Sequence, residues 1–324
     1  MATPQQHIGS GFGARSTARE VLTGIDLSGR LAIVTGGYSG IGIETVRALA
    51  AAGARVIVPA RRPAAAEEVL AGLENVDVDT LDLGDLDSVH AFAGRILDAG
   101  RSVDILVNNA AVMACPETRV GPGWEAQFAT NHLGHFVLTN LLWPLLAADG
   151  GARVVALSSR GHRRSGIRFD DLMFETGPYD KWQAYGQAKS ANSLFAVQLD
   201  ALGQDAGVRA FAVNPGGIMT PLQRHLSREE MVGFGWIDAA GNPLVAFKTP
   251  EQGAATATWA ATSPQLEGVG GVYCEDCEIA EANDGSAVDT LASGVEPHAI
   301  DRDAAARLWT VSAQLTGVDA FAAA

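Results

Sequence analysis

The chain has 324 residues, of which 37 are acidic and 23 basic, and its formal net charge of −14 argues against nucleic acid or an anionic membrane surface as the main partner. The 47% hydrophobic content is sufficient for one large α/β domain or two small ones. No run reaches the ~20 apolar residues of a membrane span, no signal segment opens the chain, and three cysteines are too few for a disulfide framework. We therefore expect a cytoplasmic protein.

Residues 1–29 are polar and glycine-rich, apart from a capped helical turn expected at 16–22. We expect this segment to form an N-terminal arm in front of a single domain over 30–324.

A strand, a glycine-rich turn and a helix follow the arm. Residues 31–34 are apolar and predict a buried strand, and the periodicity of 41–52 predicts a helix. Between them, Gly36 lets the chain leave the strand, Gly40 has no Cβ to block a pyrophosphate, and Gly42 lets the helix pack close to the sheet. The N–H groups at the helix start complement an anion. The segment favours a phosphate-binding turn, with an ordinary tight turn as the alternative.

The remaining chain alternates strands and helices, which is typical of a parallel sheet with helices on both faces. Strands are predicted at 55–60, 76–81, 105–107, 153–157, 208–213 and near 271–273. Helices are predicted at 61–73, 86–99, 124–146 with an interruption near Pro144, 182–205, 249–261 and 303–315.

Several connecting segments lack a clear period. Residues 160–180 are expected to be irregular, and 219–248 to form a mobile lid over a pocket. Beyond 278 we expect a C-terminal extension with a surface loop at 280–298 and a frayed alanine tail.

Ligands bind at the carboxyl ends of the strands in a parallel sheet, so the residues after each strand are the candidates for a site. These are Arg61, Asp82, Asn108, Ser159, Pro215 and Gly216. No acidic residue lies between 55 and 66 to bond a ribose 2′-OH, whereas Arg61 can pair with a 2′-phosphate. We expect NADP(H) to be preferred and NAD(H) to be accepted; the alternative is that Arg61 and Arg62 are solvated surface charges.

Tyr185 and Lys189 are four positions apart on a predicted helix, so both side chains project from one side. A phenol with a pKa near 10 is a poor acid or base at neutral pH, and an adjacent cation favours the phenolate. The pair suits reversible proton transfer to a carbonyl oxygen. An exposed helix pair is the alternative.

Taken together, these motifs resemble the short-chain dehydrogenase/reductase family over about residues 30–275. The matching features are Thr35-Gly-x-x-x-Gly-x-Gly42, Asn108-Asn-Ala-Ala111, Asn131, Ser159, Tyr185-x-x-x-Lys189 and Pro215-Gly216. Within the family, the segments at 131–136, 158–162 and 273–277 are similar to the branch of retinol dehydrogenases and the WW-domain oxidoreductase.

The resemblance implies a Rossmann fold, a doubly wound parallel sheet, and hydride transfer between a nicotinamide and a carbonyl or alcohol. It implies that Tyr185 is the general acid/base, that Lys189 lowers its pKa and binds the nicotinamide ribose, and that Ser159 bonds the substrate oxygen. Asn131 would hold a water that links Lys189 to solvent.

The resemblance also implies the cofactor contacts. The phosphate turn would contribute Gly36, Tyr38, Ser39, Gly40, Ile41 and Gly42; the nicotinamide would contact Pro215, Gly216, Ile218 and Thr220; the adenine side would contact Asp82, Leu83, Asn108 and Ala110. Two departures are visible: Ala111 replaces a usual Gly, and Ser159 precedes Tyr185 by 26 positions, so 160–180 would wall the substrate pocket.

The lid suggests the substrate class. Its large apolar side chains favour a bulky apolar ketone, aldehyde or alcohol; they are Met219, Leu222, Met231, Phe234, Trp236 and Phe247. One rival is a catalytically silent nucleotide-binding or scaffold protein, and another is a sugar-nucleotide epimerase or dehydratase, which requires a different glycine spacing. The family resemblance also suggests a homodimer or homotetramer.

Finally, Cys274-x-x-Cys277 could be half of a zinc site or a redox pair. No second pair and no nearby His with ligand spacing accompany it, so we expect no metal site.

Overall fold

The computed structural model describes residues 3–283 and 293–322. Residues 284–292 of the surface loop expected at 280–298, and the last two alanines of the expected frayed tail, lie outside the described residues.

An eight-stranded sheet forms the centre of the described chain. In chain order the strands are β1 (Leu31–Val34), β2 (Arg55–Ala60), β3 (Val76–Thr80), β4 (Ile105–Asn108), β5 (Arg119–Val120), β6 (Trp124–Glu125), β7 (Arg153–Leu157), β8 (Arg209–Asn214), β9 (Val272–Glu275) and β10 (Glu278–Ile279). The sheet order is β3-β2-β1-β4-β7-β8-β9-β10, whereas β5 and β6 pair with each other as a separate hairpin. All pairs in the large sheet are parallel except β9 with β10. The two-residue strand β10 was not predicted.

Helices cover both faces of the sheet. They are α1 (Gly40–Ala51), α2 (Pro63–Leu70), α3 (Leu86–Asp98), α4 (Ala126–Phe128), α5 (Gly134–Leu141), α6 (Trp143–Leu146), α7 (Lys181–Gly203), α8 (Arg228–Gly233), α9 (Pro250–Thr262) and α10 (Arg302–Thr316). Alternate residues of β1 enter different cores: Ala32 and Val34 pack on the side of α1 and α9, and Leu31 and Ile33 on the side of α3, α5 and α7. This is the single-domain doubly wound α/β fold that the sequence predicts.

The chain order of the strands reverses between β1 and β4. From β1 the sheet runs outward to β2 and β3, and the chain then crosses back to place β4 on the other side of β1. Loops leave these neighbouring carboxyl ends in opposite directions, which opens a crevice for ligands.

The helix predicted at 124–146 is wrong in its first part, whereas the predicted interruption near Pro144 is confirmed. Trp124–Glu125 forms the strand β6, and the Glu125 carboxylate then caps α4 by accepting hydrogen bonds from the N–H groups of Gln127 and Phe128. A π-helix follows at Ala129–Leu133, and Pro144 lies in the first turn of a separate helix, α6. The predicted helix at 182–205 corresponds closely to α7.

The N-terminal residues run along the edge of the sheet. The Gln5 amide donates to the carbonyls of Tyr273 and Ala280 and accepts from the Tyr273 N–H, so it behaves like an added strand residue beside β9. A 3-10 helix at Glu20–Leu22 packs against α9, near the turn that was predicted at 16–22.

Within the part of the chain that the structure describes, no helix combines the length and apolar character needed to cross a membrane.

Candidate active site

A cavity of about 900 Å³ opens at the carboxyl ends of β1, β2, β4, β7 and β8. Sixteen of the predicted site residues line it: Gly36, Tyr38, Ser39, Gly40, Ile41, Arg61, Asp82, Leu83, Ala110, Ser159, Tyr185, Lys189, Pro215, Gly216, Ile218 and Thr220. Three predicted residues, Gly42, Asn108 and Asn131, do not line it. The parallel sheet and helix α7 therefore bring residues from seven separated segments to one crevice.

The turn between β1 and α1 leaves backbone N–H groups open at one end of this cavity. Gly36 and Gly40 have φ angles of +65° and +56°, which L side chains rarely adopt. A Cβ on Gly42 would lie 2.4 Å from the Gly36 carbonyl oxygen, so the close packing of helix on turn requires glycine there. Ser39 precedes α1 without a side-chain cap, and the first turn has no acidic residue. These features suit the binding of a phosphate group.

The end of β2 carries positive charge. Arg61 and Arg62 line the cavity there, and neither forms an ion pair within residues 3–283 and 293–322. Asp82, at the end of β3, accepts the N–H of Gly84 at 2.9 Å and so holds the next turn. Asp82 is the one carboxylate among the described residues that line the cavity. Positive potential is thus concentrated in the cleft of an acidic chain.

Helix α7 places Tyr185 and Lys189 in the middle of the cavity. Asp180 caps its first turn by accepting from the N–H groups of Trp182 and Gln183. Tyr185 is 4% exposed, and burial raises the pKa of its phenol to about 12, although a hydrogen bond with Ser159 opposes the shift. Burial lowers the pKa of Lys189 to about 7, and its Nζ donates to the Leu157 carbonyl at 2.7 Å.

This electrostatic result corrects the sequence argument. The Lys189 Nζ lies 5.6 Å from the centre of the Tyr185 ring, but the phenol pKa rises instead of falling, because desolvation by burial is larger than the opposing effect of the Ser159 hydrogen bond. Tyr185 therefore holds its proton at neutral pH, which is the state that a proton donor needs.

Ser159 lies at the end of β7, where the chain turns into a 3-10 helix at Arg160–Arg164. Its Oγ accepts the Gly161 N–H at 3.0 Å, which fixes the hydroxyl beside the phenol. A Cβ on Gly161 would lie 2.7 Å from Cε1 of Tyr185, so the approach of the phenol to this turn depends on a glycine that the sequence analysis did not single out. Ser158 has a different task, because its Oγ donates to the Lys189 carbonyl at 2.9 Å.

Asn131 lies in the π-helix beneath the cavity. Its side chain accepts the Val112 N–H at 2.8 Å and donates to the Val112 carbonyl at 2.9 Å. Because both amide atoms bond the backbone of Val112, the side chain positions the segment after β4, and the expected role of Asn131 in holding a water stays a prediction. Its carbonyl oxygen already accepts a hydrogen bond from His135 Nδ1 at 2.9 Å.

His135 connects this π-helix to the first strand. Since the Asn131 carbonyl can only accept, Nδ1 of His135 carries the proton, and burial keeps the ring neutral with a pKa of about 4. Its Nε2 then accepts from the Thr35 hydroxyl at 2.9 Å. The Oγ1 atom of Thr35 in turn accepts hydrogen bonds from the N–H groups of Asn109 and Ala110. These hydrogen bonds, which run from Asn131 through His135 to Thr35, fix the turn that follows β4.

The predicted adenine contact at Asn108 is corrected by its burial. Asn108 is 1% exposed, and its amide donates to Thr139 Oγ1 at 3.1 Å. The cavity is lined by the next residue, Asn109, whose amide donates to the Thr35 carbonyl at 2.8 Å. Asn108 belongs to β4, and the pairing of that strand directs its side chain into the core.

A partly buried lysine supports the turn at Pro215 and Gly216. Gly216 has a φ of +92°, and its N–H donates to Asn214 Oδ1 at 3.1 Å. A Cβ there would lie 2.9 Å from Cε of Lys248, whose ammonium pairs with Asp276 at 2.5 Å. Sequence reasoning missed Lys248 because it lies over this turn only in three dimensions.

Aromatic rings line the part of the cavity beside Tyr185. Trp182 lies 6.3 Å from the Tyr185 ring, and the lid residues Phe234 and Trp236 lie 5.3 and 6.3 Å from Trp182. Leu222 and Phe247 of the lid also line the cavity, whereas Met219 and Met231 do not. Of the segment 160–180, the lining residues are Arg160, Gly161 and Arg164. The expected wall is therefore confined to the first part of that segment.

The comparisons with known proteins agree with this geometry. The family model described as short chain dehydrogenase matches residues 30–231. The chain belongs to the short-chain dehydrogenase/reductase family.

Two curated relatives extend the match beyond those residues. A "Probable oxidoreductase" of Streptomyces antibioticus is 47% identical over 310 residues, with 93% of this chain and 100% of the relative covered. Retinol dehydrogenase 12 of Mus musculus is 38% identical over 302 residues, with 91% and 89% covered. The chain is thus an oxidoreductase of this family with retinol dehydrogenase-like relatives.

Solved structures show the same fold. A protein from Mycobacterium Paratuberculosis superposes with a TM-score of 0.70 at 33% identity, covering 91% of this chain and 96% of the other. The Pseudomonas aeruginosa RhlG/NADP active-site complex gives a TM-score of 0.59 at 26% identity, covering 77% and 95%. The family fold binds NAD(P)(H), and the glycine turn, the uncapped helix start and the lining arginines of this cavity fit such an anionic dinucleotide.

Cys274 and Cys277 lie away from this chemistry. Both are buried in the core beside β9, and burial raises the pKa of each thiol, that of Cys277 to about 11. Among the described residues, no group of three or more His, Cys, Asp or Glu is placed to hold a metal ion.

Proposed function

We propose that this chain is an NADP(H)-dependent oxidoreductase that moves a hydride between a nicotinamide and the carbonyl or alcohol carbon of a bulky apolar substrate. The observation that carries the proposal is the position of the Tyr185 phenol, which shares one cavity with the phosphate-binding turn on one side and with the aromatic lid on the other.

The chain's own residues would hold the substrate oxygen and move its proton. The bound nicotinamide supplies or accepts the hydride. In the reductive direction the protonated phenol of Tyr185 donates to the substrate oxygen as negative charge develops there. The Ser159 hydroxyl, fixed by Gly161, donates a second hydrogen bond to the same oxygen. Burial keeps the Tyr185 proton in place at neutral pH, which is the protonation state that donation to a carbonyl oxygen requires.

Lys189 would work behind the phenol. Its Nζ bonds the Leu157 carbonyl and lies on the same side of α7 as Tyr185, where it is in reach of a nicotinamide ribose hydroxyl. With a pKa of about 7, the amine can also pass a proton between solvent and the phenol in the physiological range.

The cofactor would lie along the carboxyl edge of the sheet. The start of α1 would bind the pyrophosphate, Asp82 and Leu83 would flank the adenine, and the turn at Pro215 and Gly216 would face the nicotinamide. Arg61 supports a preference for NADP(H), because a guanidinium pairs with a 2′-phosphate and no carboxylate at the end of β2 competes for the ribose hydroxyl.

The test is to follow NADPH absorbance with a panel of apolar ketones and aldehydes. We expect turnover by the wild-type protein and a loss of at least about 100-fold in kcat for Tyr185→Phe, in line with removal of a general acid. Tyr179→Phe is the matched control, since it deletes another phenol hydroxyl, partly buried, whose partners Glu125 and Gln127 lie outside the cavity. Full activity of Tyr185→Phe would remove this residue from the mechanism.

The presence of Asn131, Ser159, Tyr185 and Lys189 together argues for an enzyme over a silent nucleotide-binding protein. A silent member would bind NADPH in a titration but show no turnover with any carbonyl of the panel.

A further inference from the structure

Arg164 lies at the substrate end of the cavity, between the wall and the lid. Its Cζ is 4.9 Å from the ring centre of Trp182 and 5.9 Å from that of Phe234. Trp182 belongs to the first turn of α7, and Phe234 directly follows α8 in the lid. The guanidinium therefore connects the two surfaces that close around a substrate.

Arg164 forms no ion pair with an acidic residue of the described chain. Within the described chain, residues 3–283 and 293–322, no carboxylate lies within ion-pair distance of Arg164. Arg168 is a useful contrast, because it also lies over a ring, that of Phe174 at 4.8 Å, but it pairs with Asp171 at 3.2 Å. A guanidinium that lies over an aromatic ring contacts the ring with its planar face. The N–H groups at the edge of the guanidinium remain available to donate to an anion.

The position of Arg164 separates it from the cofactor end. Arg61 and Arg62 follow β2, beside the predicted adenosine contacts, whereas Arg164 is near the phenol. The Trp182 ring lies 6.3 Å from the Tyr185 ring and 4.9 Å from the guanidinium carbon, so Arg164 is at most about 11 Å from that ring, the sum of the two distances. One molecule can span this distance.

We propose that Arg164 binds a carboxylate on the substrate, so that the site accepts aromatic ketones or aldehydes that carry an acid group on the far side of the ring system. This inference rests on the proposed function and adds the substrate class. The aromatic body would lie against Trp182 and Trp236, with the carbonyl at Tyr185 and the carboxylate at Arg164. The carbonyl carbon gains the hydride, its oxygen gains the proton, and the carboxylate is unchanged.

The test compares acids with their neutral esters. The probes are 4-acetylbenzoate, 4′-acetylbiphenyl-4-carboxylate and the methyl ester of each, assayed with NADPH. For wild type we expect at least one acid to be reduced with a higher kcat/KM than its ester. Arg164→Gln should raise the KM for that acid roughly 10- to 100-fold, the worth of a charge-assisted hydrogen bond, and change the ester much less. Arg168→Gln, a cation over a ring outside the cavity, should change neither.

A binding measurement makes the result independent of turnover. The acids are titrated against tryptophan fluorescence, which Trp182 and Trp236 report. Weaker binding to Arg164→Gln than to wild type and Arg168→Gln supports the inference; equal affinities for all three proteins overturn it. Absence of turnover of all four ketones by wild type would instead count against the proposed function, and the titration would still decide the role of Arg164.

Discussion

At the scale of single residues, the site depends on how burial changes acidity. Tyr185 and Lys189 are both inside, and the loss of water disfavours the charged form of each, so the phenol pKa rises to about 12 and the amine pKa falls to about 7. The sequence predicts the pair and its spacing, but it cannot give these directions, because desolvation comes from segments far apart in the chain. Asn108 shows the same limit of prediction from the sequence. The pairing of β4 places Asn108 in the core, so that the next residue, Asn109, faces the cavity.

Arg61 carries a prediction at this scale. Arg61→Asp should lower the kcat/KM ratio of NADPH to NADH by at least about tenfold, because a carboxylate repels the 2′-phosphate and accepts a bond from the ribose hydroxyl. The control is Arg302→Asp, which makes the same charge change at the exposed start of α10. An unchanged ratio of kcat/KM for NADPH to that for NADH in Arg61→Asp would show that Arg61 does not bind the 2′-phosphate.

At the scale of elements, short irregular pieces position the chemistry. The helices α1 and α7 follow from periodicity and capping residues, and their predicted bounds differ from the observed ones by a few residues. The structure of the region after Trp124 cannot be predicted from periodicity and capping residues. Glu125 is a buried cap whose third partner, the Tyr179 hydroxyl at 2.9 Å, comes from a distant segment, and Asn131 of the π-helix bonds Val112 of another segment. Such partners exist only in the folded chain.

Gly161 gives the prediction for the turn after β7. A methyl group there would lie 2.7 Å from Cε1 of Tyr185, so Gly161→Ala should displace the phenol from Ser159 and lower kcat by about tenfold or more, with NADPH affinity nearly unchanged. Gly177→Ala is the matched control, because nothing lies within 4 Å of its added Cβ and its φ is not positive. Wild-type kcat in Gly161→Ala would contradict the proposed contact.

At the scale of the whole molecule, three buried histidines make stability depend on pH. Burial lowers the pKa of His132 to about 3, and those of His135 and His162 to about 4. The unfolded chain takes up these protons near pH 6.5 but the folded chain only near pH 3 to 4, so the folded state loses stability as the pH falls through this window. Each histidine contributes up to about 1.4 kcal/mol per pH unit to that loss.

The dependence of the free energy of unfolding on pH is measured by urea unfolding between pH 7 and pH 4.5. We expect the free energy of unfolding to fall steadily below pH 6.5. His132→Gln should reduce the slope of this free energy against pH by about one third. His90→Gln, at an exposed position, should leave the slope unchanged. A free energy of unfolding that stays constant from pH 6.5 to pH 5 would show that these rings are charged in the folded protein.

The central claim is that the Tyr185 phenol gives its proton to a substrate oxygen beside the bound cofactor. Single-turnover oxidation of NADPH by a ketone that the wild-type protein reduces tests it most directly, with NADPH affinity measured separately. We expect Tyr185→Phe to bind NADPH as tightly as the wild-type protein, because the phosphate-binding turn is intact, and to oxidise it at least about 100-fold more slowly. A single-turnover rate equal to that of the wild-type protein would contradict the account.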